Sequence, residues 1–338
     1  MLVPGSIPNM ILSNSSKKRL FRWLNLFYKN TFFIALPCFI GAIVYLVFKI
    51  SENQNSFSFL SEIDFLSITT GLFTLLLLQF LNWILEAYKF NTLLQKYQIV
   101  PFVSIVKAIY AGVFTGLLTP ERLGNFIGRH WVLQTDLKLT TLLTVIGNSF
   151  QLFVTIFISF LSISFLILLD SDIVIFHKNL TLFIFISSLV LSLVIAALLF
   201  DFRWLRIIDR LSFLTKWKVT LGEINQLSIA VKIKALFFAL SRYLIFILQY
   251  YVLIVVFDVP INFLQLSIFL GLLYGIVTLV PSLIPGNLGN REAFCVLLLG
   301  GGLIGLKISF ISFLVWLINV GFSALIGGLV ILNSRAKQ

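Results

Sequence analysis

The chain has 338 residues, of which 59% are hydrophobic and only 11% charged, and its mean hydropathy of +1.04 lies outside the range of soluble domains. That composition excludes an intrinsically disordered protein, and the length accommodates about six to eight membrane spans at roughly 20 residues each. The net charge of +12 does not signal nucleic acid, because the basic residues flank apolar segments and no nucleic-acid-binding motif accompanies them; anionic lipid is the expected counter-charge.

Residues 1–30 form a cytoplasmic N-terminal segment carrying Lys17, Lys18, Arg19, Arg22 and Lys29 without an acidic residue. The apolar run from Thr31 to Lys49 follows as the first span, oriented by the positive-inside rule. The loop from Ser51 to Phe65 holds Glu52, Glu62 and Asp64 but no base, as suits the outer side. A second span, Leu66 to Lys89, returns inward. Gln79, Asn82, Trp83 and Glu86 stand at i, i+3, i+4 and i+7 on it, a polar stripe on one helix face that belongs against the bundle interior. Interhelical hydrogen bonding and the lining of a pathway both account for it.

Residues 101–137 read as a short apolar helix, a break at Thr119 to Arg129, and a second short helix, together a re-entrant hairpin from the cytoplasmic side. The third span, Leu139 to Leu169, would run roughly 46 Å at ~1.5 Å per residue; Asn148 and Gln151 mark its inward face. A fourth span covers Leu180 to Phe200. The segment 201–234, rich in Arg and Lys, is expected to lie as a cytoplasmic connection on the bilayer surface. The fifth span, Ala235 to Phe257, carries Arg242, which is expected to snorkel to the nearby interface. Residues 263–304 again read arm, break, arm, and the last span, Gly305 to Leu332, returns the C-terminus to the cytoplasm.

The expected fold is therefore all-α: about six transmembrane helices and two re-entrant helical hairpins in one integral membrane domain, 31–338. Half one is 31–169 with the hairpin 101–137, and half two is 180–333 with the hairpin 263–304. For both termini to be cytoplasmic the second hairpin must enter from outside, so the halves form an inverted repeat, a recurring transporter design. Charge agrees with this topology: of 25 basic residues only Lys49, Lys178 and Lys307 fall outside, while Arg122, Arg129 and Arg291 sit in the breaks.

Each break contains Pro-x-x-Leu-Gly-Asn, at Pro120 (Pro-Glu-Arg-Leu-Gly-Asn) and Pro285 (Pro-Gly-Asn-Leu-Gly-Asn). Pro120, Gly124, Pro281, Pro285, Gly286 and Gly289 are the expected hinge positions, since proline ends the entering arm and glycine permits the turn. The exiting arms begin with unpartnered N–H groups suited to an anion. Arg122, Arg129 and Arg291 would add bidentate recognition of phosphate or carboxylate. Glu121, Glu292 and, through space, Glu86 are their available ionic partners, and Asn125, Asn287 and Asn290 complete the candidate substrate-binding set. The plainer alternative is that these charges lock the hairpins together. Cys38 and Cys295 lie apart in apolar runs, as do His130 and His177 in sequence, so neither a disulfide framework nor a metal site is indicated. No cofactor is expected, and no phosphate-binding loop for ATP occurs.

Thr119-Pro120-x-Arg122-x-Gly124 with Arg129, and Pro285-Gly286-x-x-Gly289-x-Arg291-Glu292, resemble the two signature segments of the flippase-like transmembrane region of lysylphosphatidylglycerol synthases. The resemblance runs from about residue 25 to 335. This chain has Asn125 and Asn287 where the family usually carries Glu and Gly, which weakens any proton or cation role transferred to position 125. The resemblance implies moving or holding a polar-headed membrane lipid, of phospholipid or polyprenyl-phosphate type. The aminoacyl transfer of the full synthases is not expected, because no soluble domain follows residue 338. Some relatives accompany glycosyltransferases, so a glycosyltransferase or lipid-synthesis partner fits, as does an alternative role as a membrane subunit or enzyme acting on polyprenyl-phosphate-linked sugars or glycolipids. A scaffold without transport is the third reading.

Overall fold

Apolar runs interrupted by capping residues set the helix limits in this chain. In a computed structural model the described residues are 36–52, 59, 63–119, 122, 124–169, 178–200, 227–282 and 286–335. They are helical with no strand among them: α1 (36–52), α2 (Phe65–Leu94), α3 (Phe102–Leu117), α4 (Asn125–Leu133), α5 (Leu137–Leu169), α6 (Lys178–Phe200), α7 (Ile229–Val256), α8 (Phe263–Leu279), α9 (Asn290–Leu298), α10 (Leu303–Trp316), a π-helical turn (Leu317–Phe322) and α11 (Ser323–Arg335). The expected N-terminal segment, residues 201–226 of the basic connection, and Pro120, Glu121 and Pro285 lie outside the described residues.

Four helices among the described residues are long and apolar enough to cross a membrane: Phe65–Leu94, Leu137–Leu168, Ile229–Val256 and the stretch Leu303–Ser334. The arms α3 and α8, and Phe185–Phe200 within α6, are shorter apolar helices. Large apolar side chains such as Phe73, Phe237, Val255 and Leu325 stand exposed on the outer surface, as they must where the surroundings are hydrocarbon.

Local chemistry fixes the ends. The Asp64 carboxylate accepts the Ser67 N–H at 3.0 Å and starts α2; the Ser67 side chain, together with that N–H, lowers the Asp64 pKa from its ordinary value. Asn262 and Gln265 form a reciprocal capping box at the start of α8, which satisfies two otherwise orphan donors. At α9 one half of that arrangement is present: Glu292 accepts the Gly289 N–H at 2.6 Å.

Small residues then set the packing. In the α3–α4 hairpin, Gly112, Gly124 and Gly128 leave no room for a Cβ against the facing helix or loop. Thr115 Oγ1 ties the arms, donating to the Gly124 carbonyl at 2.8 Å and accepting from the Gly128 N–H at 3.1 Å. Close approach through glycine is the usual route to tight association in lipid. Elsewhere α2 lies antiparallel to α7, with Gly71 against Val256 at one end and Glu86 against Arg242 toward the other. Two further contacts also join the halves: α3 packs on α11 where Gly327 meets the Tyr110 carbonyl, and α8 packs on α5 where Gly271 and Gly275 meet Ser162 and Ser159.

The last span departs from expectation. The sequence predicts one continuous helix over Gly305 to Leu332, but a π turn over Leu317–Phe322 interrupts it. Asn319 lies in that turn, and its amide donates to the Val315 carbonyl at 2.9 Å and to Gln249 at 2.8 Å. The wider turn frees the Asn319 carbonyl to accept from Trp83 Nε1 at 3.2 Å. Such turns commonly mark functional positions.

Candidate functional site

The polar stripe on α2 faces inward, with Gln79, Asn82 and Glu86 all buried. Gln79 donates to Ser323 at 2.6 Å, and Asn82 donates to Asn319 at 3.2 Å. One turn further, the Glu86 carboxylate is surrounded by three cations: Lys89 at 2.6 Å, Arg129 at 3.1 Å, and Arg242. Lys89 meets it as an ion pair only, since Nζ has no hydrogen-bond geometry toward any described group. Arg129 also lies over the Phe90 ring and Arg242 over Trp83, 4.9 and 5.3 Å from the centroids, geometry in which a ring face stabilises a cation. Two buried cations and the part-buried Arg242 around one carboxylate leave a surplus of two positive charges.

A second cluster forms where α9 meets α10. Arg291 donates to Glu292 through Nε at 3.1 Å and to the Ser312 carbonyl through Nη2 at 2.8 Å. Glu292 also accepts from Ser312 Oγ at 3.1 Å, and Tyr250 links Ser312 to Tyr274. This pair is charge-balanced, with Arg291 only 3% exposed.

Between the clusters is a cavity of about 370 Å³. Its wall takes Arg122 from the first break, Gly286 and Asn287 from the second, Arg242 from α7, Arg291 from α9, and Asn82, Gln151 and Asn319 from α2, α5 and the π turn. The two breaks meet there: a Cβ placed on Gly286 would stand 2.8 Å from both Arg122 Nη2 and Trp316 Nε1. Gly286 can occupy that position because its φ of +83° carries no penalty without a Cβ. Asn287, with φ +57°, turns its amide back to the Val277 carbonyl at 3.1 Å and closes the end of α8.

The candidate residues thus divide. Arg122, Arg291, Gly286 and Asn287 line the cavity. Glu86, Arg129 and Glu292 stand outside its wall, and Glu86 and Glu292 each pair with an arginine that lines it. Asn125 packs against Gly112 in the α3–α4 hairpin, and Asn290 donates to the Pro281 carbonyl at 3.4 Å. Gly124 and Gly289 serve close approach, to Thr115 and to Phe39.

Arg242 corrects an expectation. It does not snorkel; it reaches inward to Glu86, Asn82 and Gln151, because Glu86 supplies a counter-charge at depth. Its spacing of i, i+7 with Gln249, which also meets Asn319, was the available sign that both share an inward face. Lys89, counted as a cytoplasmic base, is likewise fully buried. Among the described residues no three His, Cys, Asp or Glu side chains come together as a metal site.

A family model, the lysylphosphatidylglycerol synthase TM region, matches residues 34–327. The chain belongs to that family. No curated protein and no solved structure matches it. The matched range holds both breaks, both charge clusters and the whole cavity wall. Membership makes this a multi-pass membrane protein related to lipid-modifying systems.

Proposed function

We propose that the protein is a lipid translocase whose central cavity takes an anionic, phosphate-bearing headgroup while the acyl chains remain in the bilayer. The observation that carries this reading is the cavity wall itself. Guanidinium groups from both breaks and from α7 converge on it, beside a cluster with two surplus positive charges. Buried cations in hydrocarbon are expensive unless something uses them, and arginine forks match phosphate oxygens in pairs.

In this reading α3–α4 and α8–α9 are re-entrant hairpins of an inverted repeat of about six spans in the cell membrane, with both termini cytoplasmic. The exchange of partners supports it, since the hairpin arm of each half packs on the closing helix of the other. Rocking of one half against the other would expose the headgroup alternately. Its partners would be a membrane lipid and, where the lipid is made or glycosylated, the enzyme that supplies it. An enzyme acting on lipid-linked sugars would need a general acid or base on the cavity wall. Among the described residues that wall offers only the phenols of Tyr243 and Tyr274 for such a role, beside three guanidinium groups suited to holding an anion, so transport is the reading the wall supports better.

Vesicles with fluorescent phosphatidylglycerol in the inner leaflet test it. Arg242→Gln leaves Glu86 paired to Lys89 and Arg129, so the fold should persist. Loss of one charge-assisted contact to phosphate should slow lipid movement roughly tenfold or more. Arg122→Gln should do the same, and wild-type rates in both variants would remove the site.

A further inference from the structure

Arg291 and Glu292 face different spaces, and a chain of hydroxyls runs from the central cavity to the carboxylate. We propose that the headgroup binds together with one proton: as phosphate takes over Arg291, the Glu292 carboxylate is protonated from the cavity through Tyr274, Tyr250 and Ser312. The proposal rests on the translocase reading for its ligand and on these five residues for the proton.

The order of donors is the first observation. Ser312 Oγ donates to Glu292 at 3.1 Å, and the Tyr250 hydroxyl donates to Ser312 Oγ at 3.0 Å. A phenol has a single hydroxyl hydrogen, so in its 2.8 Å contact with Tyr274 the Tyr250 oxygen accepts and Tyr274 donates. All three hydrogens therefore point toward the carboxylate. Tyr274 is half-buried and lines the central cavity, whereas Tyr250 and Ser312 are fully buried. In the transfer the Ser312 hydrogen moves to Glu292, those of Tyr250 and Tyr274 each move up one place, and Tyr274 regains a proton from the cavity. The hydroxyls end chemically unchanged, and the carboxylate gains one O–H bond.

The second observation is what surrounds Glu292 once its cation is drawn away. Arg291 gives Nε and Nη2 to Glu292 while lining the cavity wall. A phosphate gripped by two nitrogens of that fork draws at least Nη2 from the carboxylate. Glu292 itself lines a separate groove of about 280 Å³ between α1 and α10, whose wall includes Phe39, Ile43 and Leu46 on one side and Leu306, Phe310 and Phe313 on the other. The Gly289 N–H and Ser312 Oγ remain as its neutral partners. The titratable groups around it besides Arg291 are Cys295 on its own helix, Tyr250 from α7 and Tyr274 from α8. A buried carboxylate left in such company, without a cation, is favoured in its neutral form.

Charge balance gives the arrangement its use. A phosphodiester carries one negative charge, so the headgroup and the proton together add none to the site. An anionic lipid that crosses with a proton does no work against the membrane potential, and a proton gradient drives it from the more acidic face toward the other.

Binding to the purified full chain in detergent tests the proton separately from transport. Because a proton is taken up with the lipid, affinity for fluorescent phosphatidylglycerol should fall at least about threefold, and at most about tenfold, per unit rise in pH between about pH 6 and 8. The lipid's own phosphate stays ionised throughout. In Glu292→Gln the dependence should vanish. A shallower dependence in the wild type overturns the proposal, as does one of wild-type steepness in Glu292→Gln. Tyr250→Phe tests the hydroxyl route, since it keeps the Arg291–Glu292 pair and the ring packing on Phe246 and Tyr274. It should bind lipid with the wild-type pH dependence. In vesicles acidified on the side of the labelled leaflet, however, it should move lipid about tenfold or more slowly, the loss expected when a positioned proton carrier is removed; wild-type speed overturns the route. Where Glu292→Gln does not fold, the wild-type dependence and Tyr250→Phe still decide. If affinity follows pH as expected but vesicles show no lipid movement, the proton site stands and the translocase reading fails; if no lipid binds, both fail.

Discussion

Replacing Glu86 by glutamine is expected to destabilise the protein by about 3–5 kcal/mol, the cost of stripping the counter-charge from buried ions. Glu86 is 2% exposed and is the common partner of Lys89, Arg129 and Arg242. Glutamine keeps the shape and much of the hydrogen bonding, so the loss reports charge alone. The wild-type cluster already carries two surplus positive charges; the variant would carry three. Thermal unfolding in detergent, followed by tryptophan fluorescence, reads the effect. Adding Arg129→Gln to the same chain should recover part of the loss, since it restores the wild-type surplus, and such non-additivity is the mark of groups in direct contact. Anionic lipid should stabilise the wild-type protein in proportion to its binding. A single Glu86→Gln variant that melts like wild type would mean that the three cations are compensated from elsewhere, and the electrostatic account of the core would have to be abandoned.

The sequence disclosed that core unevenly, for physical reasons visible residue by residue. The stripe Gln79, Asn82, Trp83 and Glu86 was legible because helical periodicity alone places four polar groups on one face of an apolar helix, and each does make a buried contact. The breaks were legible because proline, glycine and arginine interrupt long apolar runs, and their meeting at Gly286 and Arg122 agrees with the repeated Pro-x-x-Leu-Gly-Asn pattern. Lys89 and Arg242 were misjudged for one shared reason. Both lie toward helix ends that the sequence suggests are cytoplasmic, yet α2 continues to Leu94 and α7 begins at Ile229, so each side chain falls within the packed bundle. Proximity to a basic flank says where a residue is along the helix, not whether a carboxylate waits beside it. The π turn had no local signature at all. It exists because Asn319 bonds α2 and α7 at once, a tertiary cause that local propensity does not record.

Gly286→Ala is expected to abolish most lipid movement while leaving the helices assembled. Two penalties meet at this residue. Its φ of +83° is unfavourable for a residue with a Cβ, by roughly 1–2 kcal/mol, and the added carbon would stand 2.8 Å from Arg122 Nη2 and from Trp316 Nε1. The arginine contact is the far end of a flexible chain, so Arg122 can swing away; the protein then keeps its fold and loses the placement of one guanidinium on the cavity wall. The predicted signature is a modest drop in melting temperature with a tenfold or greater fall in vesicle transport, the same loss expected of Arg122→Gln because both remove one charge-assisted contact. Gly302→Ala is the matched control: an added Cβ would meet no described neighbour within 4 Å, and its φ is −85°, so both readouts should stay at wild-type values. If Gly286→Ala lowers stability but moves lipid normally, the junction of the two breaks is structural only, and the headgroup must be held by groups on the other side of the cavity.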